Sequence, residues 1–328
     1  MTALVELDAI QRARQRIAGV ARVTPLMPAS SDESWSHLWL KCENLQAGGA
    51  FKLRGAFNFL SQLDPAVRSR GVITYSSGNH GQAMALAAQR LGAPALVVMP
   101  TTAPEVKVCG ARRFGAEVQF AGTTSIDRKL AAEALASQRG LTIVPPFDHA
   151  DIIAGQGTVG LEVVDQRPDV TTVYVPVGGG GLVSGVAAAV KRLAPSVRVV
   201  GVEPAGAPKM TQSLEAGAPA TLDRIDSIAD GLLAVRPGDI TFAHVRALVD
   251  EVVTVTDDEI RAAMRFLVQH SKIVAEPSGA ASVAGALRLA PESSRGVHVA
   301  VVSGGNLEMS MLTAILEGAR PRSPHRPS

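Results

Sequence analysis

The chain contains 328 residues, of which 46% are hydrophobic and 19% are charged, so it suits two domains, or one large domain with an insertion. A formal net charge of +2 and an aromatic content of 4% argue against a nucleic-acid partner. No apolar run reaches the roughly 18 residues of a membrane span, and the N-terminus lacks a signal-peptide core, so we predict a cytoplasmic protein without a membrane partner.

Short strands alternate with alanine-rich helices along the chain. After an amphipathic helix within residues 1–19, strands are predicted in GVITYSS, PALVVMP and AEVQFA, and later in TVYVPV, VRVVGVEP and GVHVAVV. Their alternation with helices predicts parallel sheets covered by helices on both faces. The pattern weakens between residues 204 and 240, which predicts a long loop at an active site or interface. The final GARPRSPHRPS predicts a disordered tail.

Lys52 stands among glycines and apolar residues in the segment GGAFKLRGAF. A lysine removed from water tends to lose its proton, which makes Lys52 a candidate amine nucleophile. The alternative is a lysine whose stem packs on apolar neighbours while its amine reaches water. The segment by itself favours that alternative, so the interpretation depends on the other loops.

Four consecutive glycines, Gly178 to Gly181, follow a predicted strand and precede a helix that begins near Leu182. Backbone N–H groups of such a loop, together with the N-terminus of the helix, predict a phosphate site. A tight turn is the simplest alternative, but it needs only one glycine. A dinucleotide site is another, because Glu203 follows the next strand, although residues 178–185 do not fit G-x-G-x-x-G.

Two more loops follow predicted strands, where doubly wound sheets bind their ligands. Residues 76–81, SSGNHG, offer hydroxyls, an amide and helix-start N–H groups, and predict a carboxylate site with a plain helix cap as the alternative. Residues 303–306, SGGN, form either a turn or a further ligand loop. An amine nucleophile, a phosphate site and a carboxylate site together describe pyridoxal 5′-phosphate (PLP) held as a Schiff base, with an amino acid as substrate.

The chain resembles the serine/threonine dehydratase and serine racemase group of fold-type-II PLP enzymes. The resemblance runs from VTPL at 23–26 to SGGN at 303–306 and includes AFKLRGA, SSGNHGQA, AGQGTVGLE, GGGGL, SIADGLLAVRPGD and AEPSGA in that order. It implies an α/β fold of two parallel-sheet, three-layer domains with the cofactor in the cleft between them. The expected large PLP-binding domain comprises residues 1–66 and 149–328, with a disordered tail at about 318–328, and the small substrate-binding domain comprises residues 67–148.

The resemblance also implies a role for individual residues. Lys52 would form the Schiff base and remove the substrate α-proton, while Asn79 would bond the ring hydroxyl. Ser303 would face the pyridine nitrogen, and a neutral hydroxyl there leaves the ring a weaker electron sink, which favours loss of a β-leaving group. The expected cofactor contacts are Phe51, Lys52, Asn79, Gly178, Gly179, Gly180, Gly181, Leu182, Glu276, Ser303 and Gly304, and the expected substrate contacts are Ser76, Ser77, Asn79, His80 and Arg128.

Three positions bear on which member of the group the chain resembles. Ser77 stands where serine racemases carry an acid/base for the second substrate face and several threonine dehydratases carry alanine. Arg128 matches a substrate-carboxylate arginine that would suit a dicarboxylic β-hydroxy amino acid, unless it is an ordinary exposed helix arginine. At the group's divalent-cation site Glu203 and Ala207 are present, but Lys209 replaces the second acid, so we expect no bound metal.

The predicted activity is dehydration and deamination of L-threonine or L-serine to a 2-oxo acid and ammonia, with Lys52 and Ser77 as the catalytic residues. The enzymatic alternatives are serine racemase and threo-3-hydroxyaspartate dehydratase. The non-enzymatic alternative is a protein that binds PLP or an amino acid without catalysing a reaction. Cysteine synthase and threonine synthase share the fold, but His80 and the RPGD segment fit the dehydratase group better. The resemblance further implies a homodimer or homotetramer.

Overall fold

The structure is a computed structural model that describes residues 3–30, 35–76, 78–103, 105–123, 125–291 and 295–318. Helices and strands alternate through most of this length, as the sequence pattern predicts. The helices are α1 (Leu7–Ile17), α2 (Lys52–Ser61), α3 (Pro65–Arg70), α4 (Asn79–Arg90), α5 (Glu105–Arg113), α6 (Ser125–Arg139), α7 (Ala150–Gln166), α8 (Gly181–Leu193), α9 (Lys209–Ala216), α10 (Asp239–Leu248), α11 (Asp257–Phe266), α12 (Pro277–Leu289) and α13 (Met309–Leu316).

The strands form two separate sheets. The strands are β1 (Leu26–Pro28), β2 (Leu38–Lys41), β3 (Val72–Tyr75), β4 (Ala95–Met99), β5 (Glu117–Phe120), β6 (Thr142–Ile143), β7 (Val170–Pro176), β8 (Arg198–Pro204), β9 (Glu251–Val255) and β10 (Val297–Val301). The larger sheet has the order β1-β2-β10-β7-β8-β9, and the smaller sheet has the order β5-β4-β3-β6.

Alternate residues along the strands pack against helices on opposite faces of each sheet. In the smaller sheet Val97 packs with residues of α4 and α5, whereas its neighbours Leu96 and Val98 pack against α6. In the larger sheet Val173 and Val175 lie in a cluster with α8, while the buried residues of α12 cover the other face. Burial on both faces explains why these strands are apolar at consecutive positions.

The predicted parallel α/β architecture is confirmed, with one exception at an edge. Strand β1 pairs antiparallel with β2, and residues 29–37 that separate the two strands are fewer than the roughly twelve that a parallel crossover needs. All other neighbouring strands, including those of the smaller sheet, pair in parallel.

The prediction of one long loop between residues 204 and 240 is wrong for residues 209–216, which form α9. The carboxylate of Glu203 accepts hydrogen bonds from the backbone N–H groups of Met210 and Thr211, which stabilises the first turn of this helix. Gly217, with φ of 71°, ends it. The helix has only eight residues and lies between segments rich in alanine, glycine and proline, so apolar periodicity gave no signal for it.

The predicted domain limits stay a prediction, although the smaller sheet lies entirely between Val72 and Ile143. Most of the predicted disordered tail lies outside the described residues. Within the described part of the chain, no helix is long and apolar enough to cross a membrane.

Candidate active site

A cavity of about 630 Å³ lies at the carboxyl ends of both sheets and contains the predicted loops. Residues from the start of α2, from the β3–α4 and β7–α8 connections and from the end of β10 meet there, as expected for parallel sheets. The predicted site residues that line it are Phe51, Lys52, Ser76, Asn79, His80, Arg128, Gly178, Gly179, Gly180, Gly181, Leu182, Glu276 and Ser303.

Among the described residues, Gly304 is a predicted cofactor contact that does not line the cavity. Gly304 lies behind the wall, where a Cβ atom would collide with the carboxyl group of Glu276 and approach the amide of Asn79 to 3.1 Å. Gly304 therefore serves the site by leaving room for these two side chains. Ser77 lies outside the described residues, so its predicted role stays a prediction.

Lys52 is half-buried at the first position of α2 and reaches the cavity. Its Nζ donates to the carbonyl oxygen of Pro146 at 2.9 Å and lies 5.1 Å from the centroid of the Phe51 ring. Burial lowers the pKa of Lys52 to about 8. About a tenth of this amine is therefore unprotonated at pH 7, which supplies the neutral form that a nucleophile requires.

The glycine loop forms another part of the cavity wall. Gly180 adopts a left-handed conformation with φ of 99°, and α8 begins at the next residue. A Cβ atom on Gly179 would collide with the ring of Phe147, and its carbonyl oxygen accepts a hydrogen bond from Thr241 Oγ1 at 2.7 Å. The first N–H groups of α8 have no partner within the helix, so they are available to an anion of suitable size.

Asn79, the first residue of α4, and Glu276, directly before α12, contact each other in the cavity wall. Asn79 Nδ2 donates to Glu276 Oε1 at 2.5 Å. Burial raises the pKa of Glu276 to about 7, while the charge of Lys107 and the bond from Asn79 act in the opposite direction. This carboxyl group is therefore partly protonated at neutral pH.

Ser303 and His80 are buried at the cavity. The Ser303 hydroxyl donates to the carbonyl oxygen of Ser278 at 3.4 Å, and its own carbonyl accepts from the Phe51 N–H at 3.1 Å. Burial, together with the nearby charge of Lys52, lowers the pKa of His80 to about 3, so its ring is neutral. His80 Nε2 lies 3.3 Å from the carbonyl oxygen of Val144, which places the proton on this nitrogen.

Arg128 lies at the cavity on α6 and is not the ordinary exposed arginine of the alternative interpretation. Its Nη1 makes a long hydrogen bond of 3.4 Å to the carbonyl oxygen of Thr123. Its Nε is buried and has no hydrogen-bond partner among the described residues. Buried donors are normally paired, so this guanidinium has capacity left for a ligand.

Lys209 replaces an acid at the predicted cation site, and its ammonium is fully buried there. Its Nζ donates to the carbonyl oxygens of Val177, Ala207 and Leu232 at 3.0, 3.0 and 2.9 Å, and lies 3.4 Å from a carboxylate oxygen of Glu203. The ammonium thus occupies a cage of oxygen atoms such as a hard cation prefers. The absence of a metal stays a prediction.

Several residues at the cavity were not predicted from the sequence. Lys107, on α5, forms an ion pair with Asp230, which follows α9, and Phe147 packs against the glycine loop. Two features of the sequence could have indicated these residues. Asp230 stands in the SIADGL motif, and Phe147 follows the short strand β6. Both contacts join distant parts of the chain, and periodicity does not report such contacts.

Residues 17–304 match the family described as pyridoxal-phosphate dependent enzyme. The chain belongs to this family. The cofactor is therefore PLP, and the cavity fits it, since a buried amine of lowered pKa and a glycine loop at a helix N-terminus suit an aldehyde and a phosphate.

The relatives include enzymes with different activities. The chain is 41% identical to an L-threonine ammonia-lyase of Thermotoga maritima over 95% of this chain and 78% of that one. It is 40% identical to an L-threo-3-hydroxyaspartate ammonia-lyase of a Pseudomonas species over 94% of this chain and 97% of that one. The structure of maize serine racemase superposes with a TM-score of 0.90 at 38% identity, covering 96% of this chain and 98% of that one.

The comparisons confirm the predicted family, fold and cofactor. The predicted activity and both enzymatic alternatives all occur among the relatives. The chain is accordingly an enzyme of a PLP-dependent family, and the comparisons favour none of the three activities. The roles of individual side chains stay predictions.

Proposed function

We propose that this PLP-dependent enzyme dehydrates and deaminates L-threonine or L-serine, with a 2-oxo acid and ammonia as products. The observation that supports it most directly is the Lys52 amine, whose pKa is lowered to about 8, in one cavity with the glycine loop and the neutral Ser303 hydroxyl. The name of the Thermotoga relative agrees with this activity.

Each part of the cavity has a task in this reaction. When bound, the cofactor supplies an electron sink for negative charge at the substrate α-carbon. The glycine loop and the first turn of α8 would hold its phosphate, and Phe51 would lie beside its ring. Lys52 would hold the cofactor covalently and, after the amino acid has displaced it, accept the α-proton at Nζ.

The substrate would be bound from the smaller sheet. Ser76, Asn79 and the first N–H groups of α4 line the cavity and would accept its carboxylate. The neutral hydroxyl of Ser303 would not hold a ring nitrogen protonated, so negative charge at the α-carbon would be short-lived. The β-hydroxyl group would then gain a proton and leave as water before a proton returns to the α-carbon. Elimination is therefore proposed over racemisation.

The decisive experiment compares Lys52→Ala with the wild type. Purified protein supplied with PLP is given L-threonine, L-serine, D-serine and threo-3-hydroxyaspartate, and 2-oxo acid, ammonia and product chirality are measured. We expect Lys52→Ala to lose turnover by at least about a thousandfold, because a methyl group neither bonds the cofactor nor moves the proton. Lys191→Ala, which removes a lysine paired with Asp250 away from the cavity, is the control. A Lys52→Ala variant with wild-type turnover would contradict the proposal.

A dicarboxylic substrate is a second candidate, supported by the buried, unpaired Nε of Arg128 at the cavity. A second carboxylate, as in threo-3-hydroxyaspartate, would supply the missing acceptor. The substrate panel decides between the two: a kcat/KM for threo-3-hydroxyaspartate that exceeds the value for L-threonine would make the dicarboxylic acid the preferred substrate.

We also propose a cytoplasmic location and assembly as a homodimer or homotetramer, which the resemblance to the dehydratase and racemase group supports. Light scattering of the purified protein measures the mass, and a monomer of 34.1 kDa at micromolar concentration would contradict the proposed assembly. Fractionation of the source cells tests the location.

A further inference from the structure

Asn306, the last residue of the SGGN segment, joins three loops through one side-chain amide group. Its Nδ2 donates to the carbonyl oxygen of Gly48 at 2.8 Å, in the segment that precedes Lys52. The same nitrogen donates to Asn79 Oδ1 at 3.0 Å, at the start of α4. Asn306 itself follows β10, so the two sheets and the lysine loop meet at this side chain.

The Asn306 side chain has little freedom to move. Gly49 adopts a left-handed conformation with φ of 76°, and a Cβ atom there would collide with the Asn306 amide, so the side chain lies flat against bare backbone. The N–H of Gly305 donates to the carbonyl oxygen of Gly49 at 2.9 Å and holds the two segments together. A packed amide with both hydrogen bonds made has one orientation.

This arrangement decides the orientation of the Asn79 amide. Asn79 Oδ1 accepts from Asn306, and Asn79 Nδ2 donates to Glu276 Oε1. A flipped Asn79 would place its NH₂ group against the NH₂ group of Asn306, where two donors would face each other. One N–H of Asn79 Nδ2 is then left for a further acceptor, since this nitrogen carries two.

We propose that Asn306 is a positioning residue that acts through Asn79. It holds the Asn79 amide so that the second Nδ2 hydrogen is available to an oxygen acceptor in the cavity, for which the ring hydroxyl of PLP is the candidate. This rests on the proposed role of Asn79 in the site. Asn306 does not line the cavity.

The test is Asn306→Asp, which keeps the shape of the side chain but removes its donor. A carboxylate there would face two acceptors, the Gly48 carbonyl and Asn79 Oδ1. We expect the Kd for PLP, measured by titrating the cofactor-free protein, to rise by about tenfold, the effect of one hydrogen bond to a ligand. The pH at which the visible absorbance of the bound cofactor titrates should move by about half a unit or more.

Asn44→Asp is the matched control, because it makes the same change beside the same loop. Asn44 Nδ2 donates to the carbonyl oxygen of Val274 at 3.0 Å, and the residue does not line the cavity. We expect its Kd for PLP and its absorbance titration to equal those of the wild type. Asn306→Ala serves if Asn306→Asp does not fold, and thermal unfolding of each holoenzyme shows which variants are folded.

A double mutant separates positioning from a general structural effect. If Asn306 acts through Asn79, adding Asn306→Asp to Asn79→Ala should change the Kd for PLP by less than twofold. A folded Asn306→Asp protein with wild-type Kd and absorbance titration would overturn the proposal, and so would an undiminished effect in the Asn79→Ala background. These readouts need no turnover, so a wild type that binds PLP but releases no 2-oxo acid would contradict the proposed activity alone.

Discussion

At the scale of single residues, the local surroundings of Lys52 explain its chemistry. Its stem packs in the apolar segment that begins α2, and its Nζ has a backbone carbonyl as partner instead of a carboxylate. Burial therefore acts on its pKa without an opposing charge, and the pKa falls to about 8. The pattern that singled out this lysine in the sequence and the cause of its lowered pKa are the same.

We expect cofactor uptake to follow the titration of Lys52. Only the neutral amine attacks an aldehyde, so the rate at which the cofactor-free protein binds PLP should rise with pH and level off above the pKa of about 8. An ordinary lysine would give a rate that continues to rise to about pH 10.4. Stopped-flow absorbance between pH 6 and pH 10.5 measures this, and a rate that is still rising steeply at pH 10 would contradict the lowered pKa.

A second prediction at this scale concerns Ser77. Elimination from an L-amino acid needs a base on one face, whereas racemisation also needs a proton donor on the other. We expect Ser77→Ala to lose racemisation and elimination from D-serine, while dehydration of L-serine or L-threonine stays within about threefold of the wild type. Pyruvate and D-serine are measured in both proteins, with Ser69→Ala on α3 as the control. Continued racemisation by Ser77→Ala would reject this role.

At the scale of elements, side chains from one segment hold the ends of others. The carboxylate of Asp148 accepts the N–H groups of Asp239, Ile240 and Thr241, which caps the start of α10, and Thr241 in turn bonds the glycine loop. Lys209 similarly links the end of β7, the start of α9 and the turn at Leu232. The glycine loop is thus held from both sides by elements that lie far from it in the chain.

We expect Lys209 to make the enzyme independent of divalent cations. Its ammonium already satisfies the oxygen atoms that surround it, so treatment with a chelator should change activity by less than about twofold. Lys209→Asp should instead place a second carboxylate beside Glu203 and make activity depend on added Mg²⁺. Activity with chelator and with Mg²⁺ is compared in both proteins. Inactivation of the wild type by a chelator would show that this interpretation of Lys209 is wrong.

At the scale of the whole molecule, the cavity is formed where the two sheets meet. Lys107 lies on α5, which packs against the smaller sheet. Its partner Asp230 follows α9, outside residues 72–143 that hold the smaller sheet. Both residues line the cavity, and the Lys107 side chain is nearly buried while that of Asp230 is 23% exposed. An ion pair at such a position restrains one part of the molecule relative to the other.

We expect Lys107→Met to loosen this connection. Hydrogen exchange of α5, residues 105–113, should become about fivefold faster, which corresponds to the loss of an ion pair worth about 1 kcal/mol. The pKa of Glu276 should also rise further, because the charge of Lys107 lowers it. Lys129→Met, which breaks an exposed pair with Glu133 on α6, is the control. Equal exchange of α5 in the wild type and in Lys107→Met would rule out the restraint.

The sequence by itself determined the elements and the chemical loops. The strands β3, β4, β5, β7, β8 and β10 and their helices follow from apolar runs and alanine-rich periodicity, which are local properties. The serine and glycine loops were also recognisable, because residue types that suit a carboxylate or a phosphate stand directly at strand ends. The lysine was recognisable by its glycine and apolar neighbours. The motif set was sufficient to predict the family and the cofactor.

Only the tertiary structure decided which polar groups meet. Asn306 with Asn79, Lys107 with Asp230, and Lys209 with the Val177 carbonyl are pairs whose members lie at least 32 positions apart. Such pairs depend on how the sheets pack and on the distance between loop backbones, and neither leaves a periodic trace in the sequence. The helix α9, with eight residues, and the edge strand β1, with three, were missed because such short elements carry little periodicity of their own.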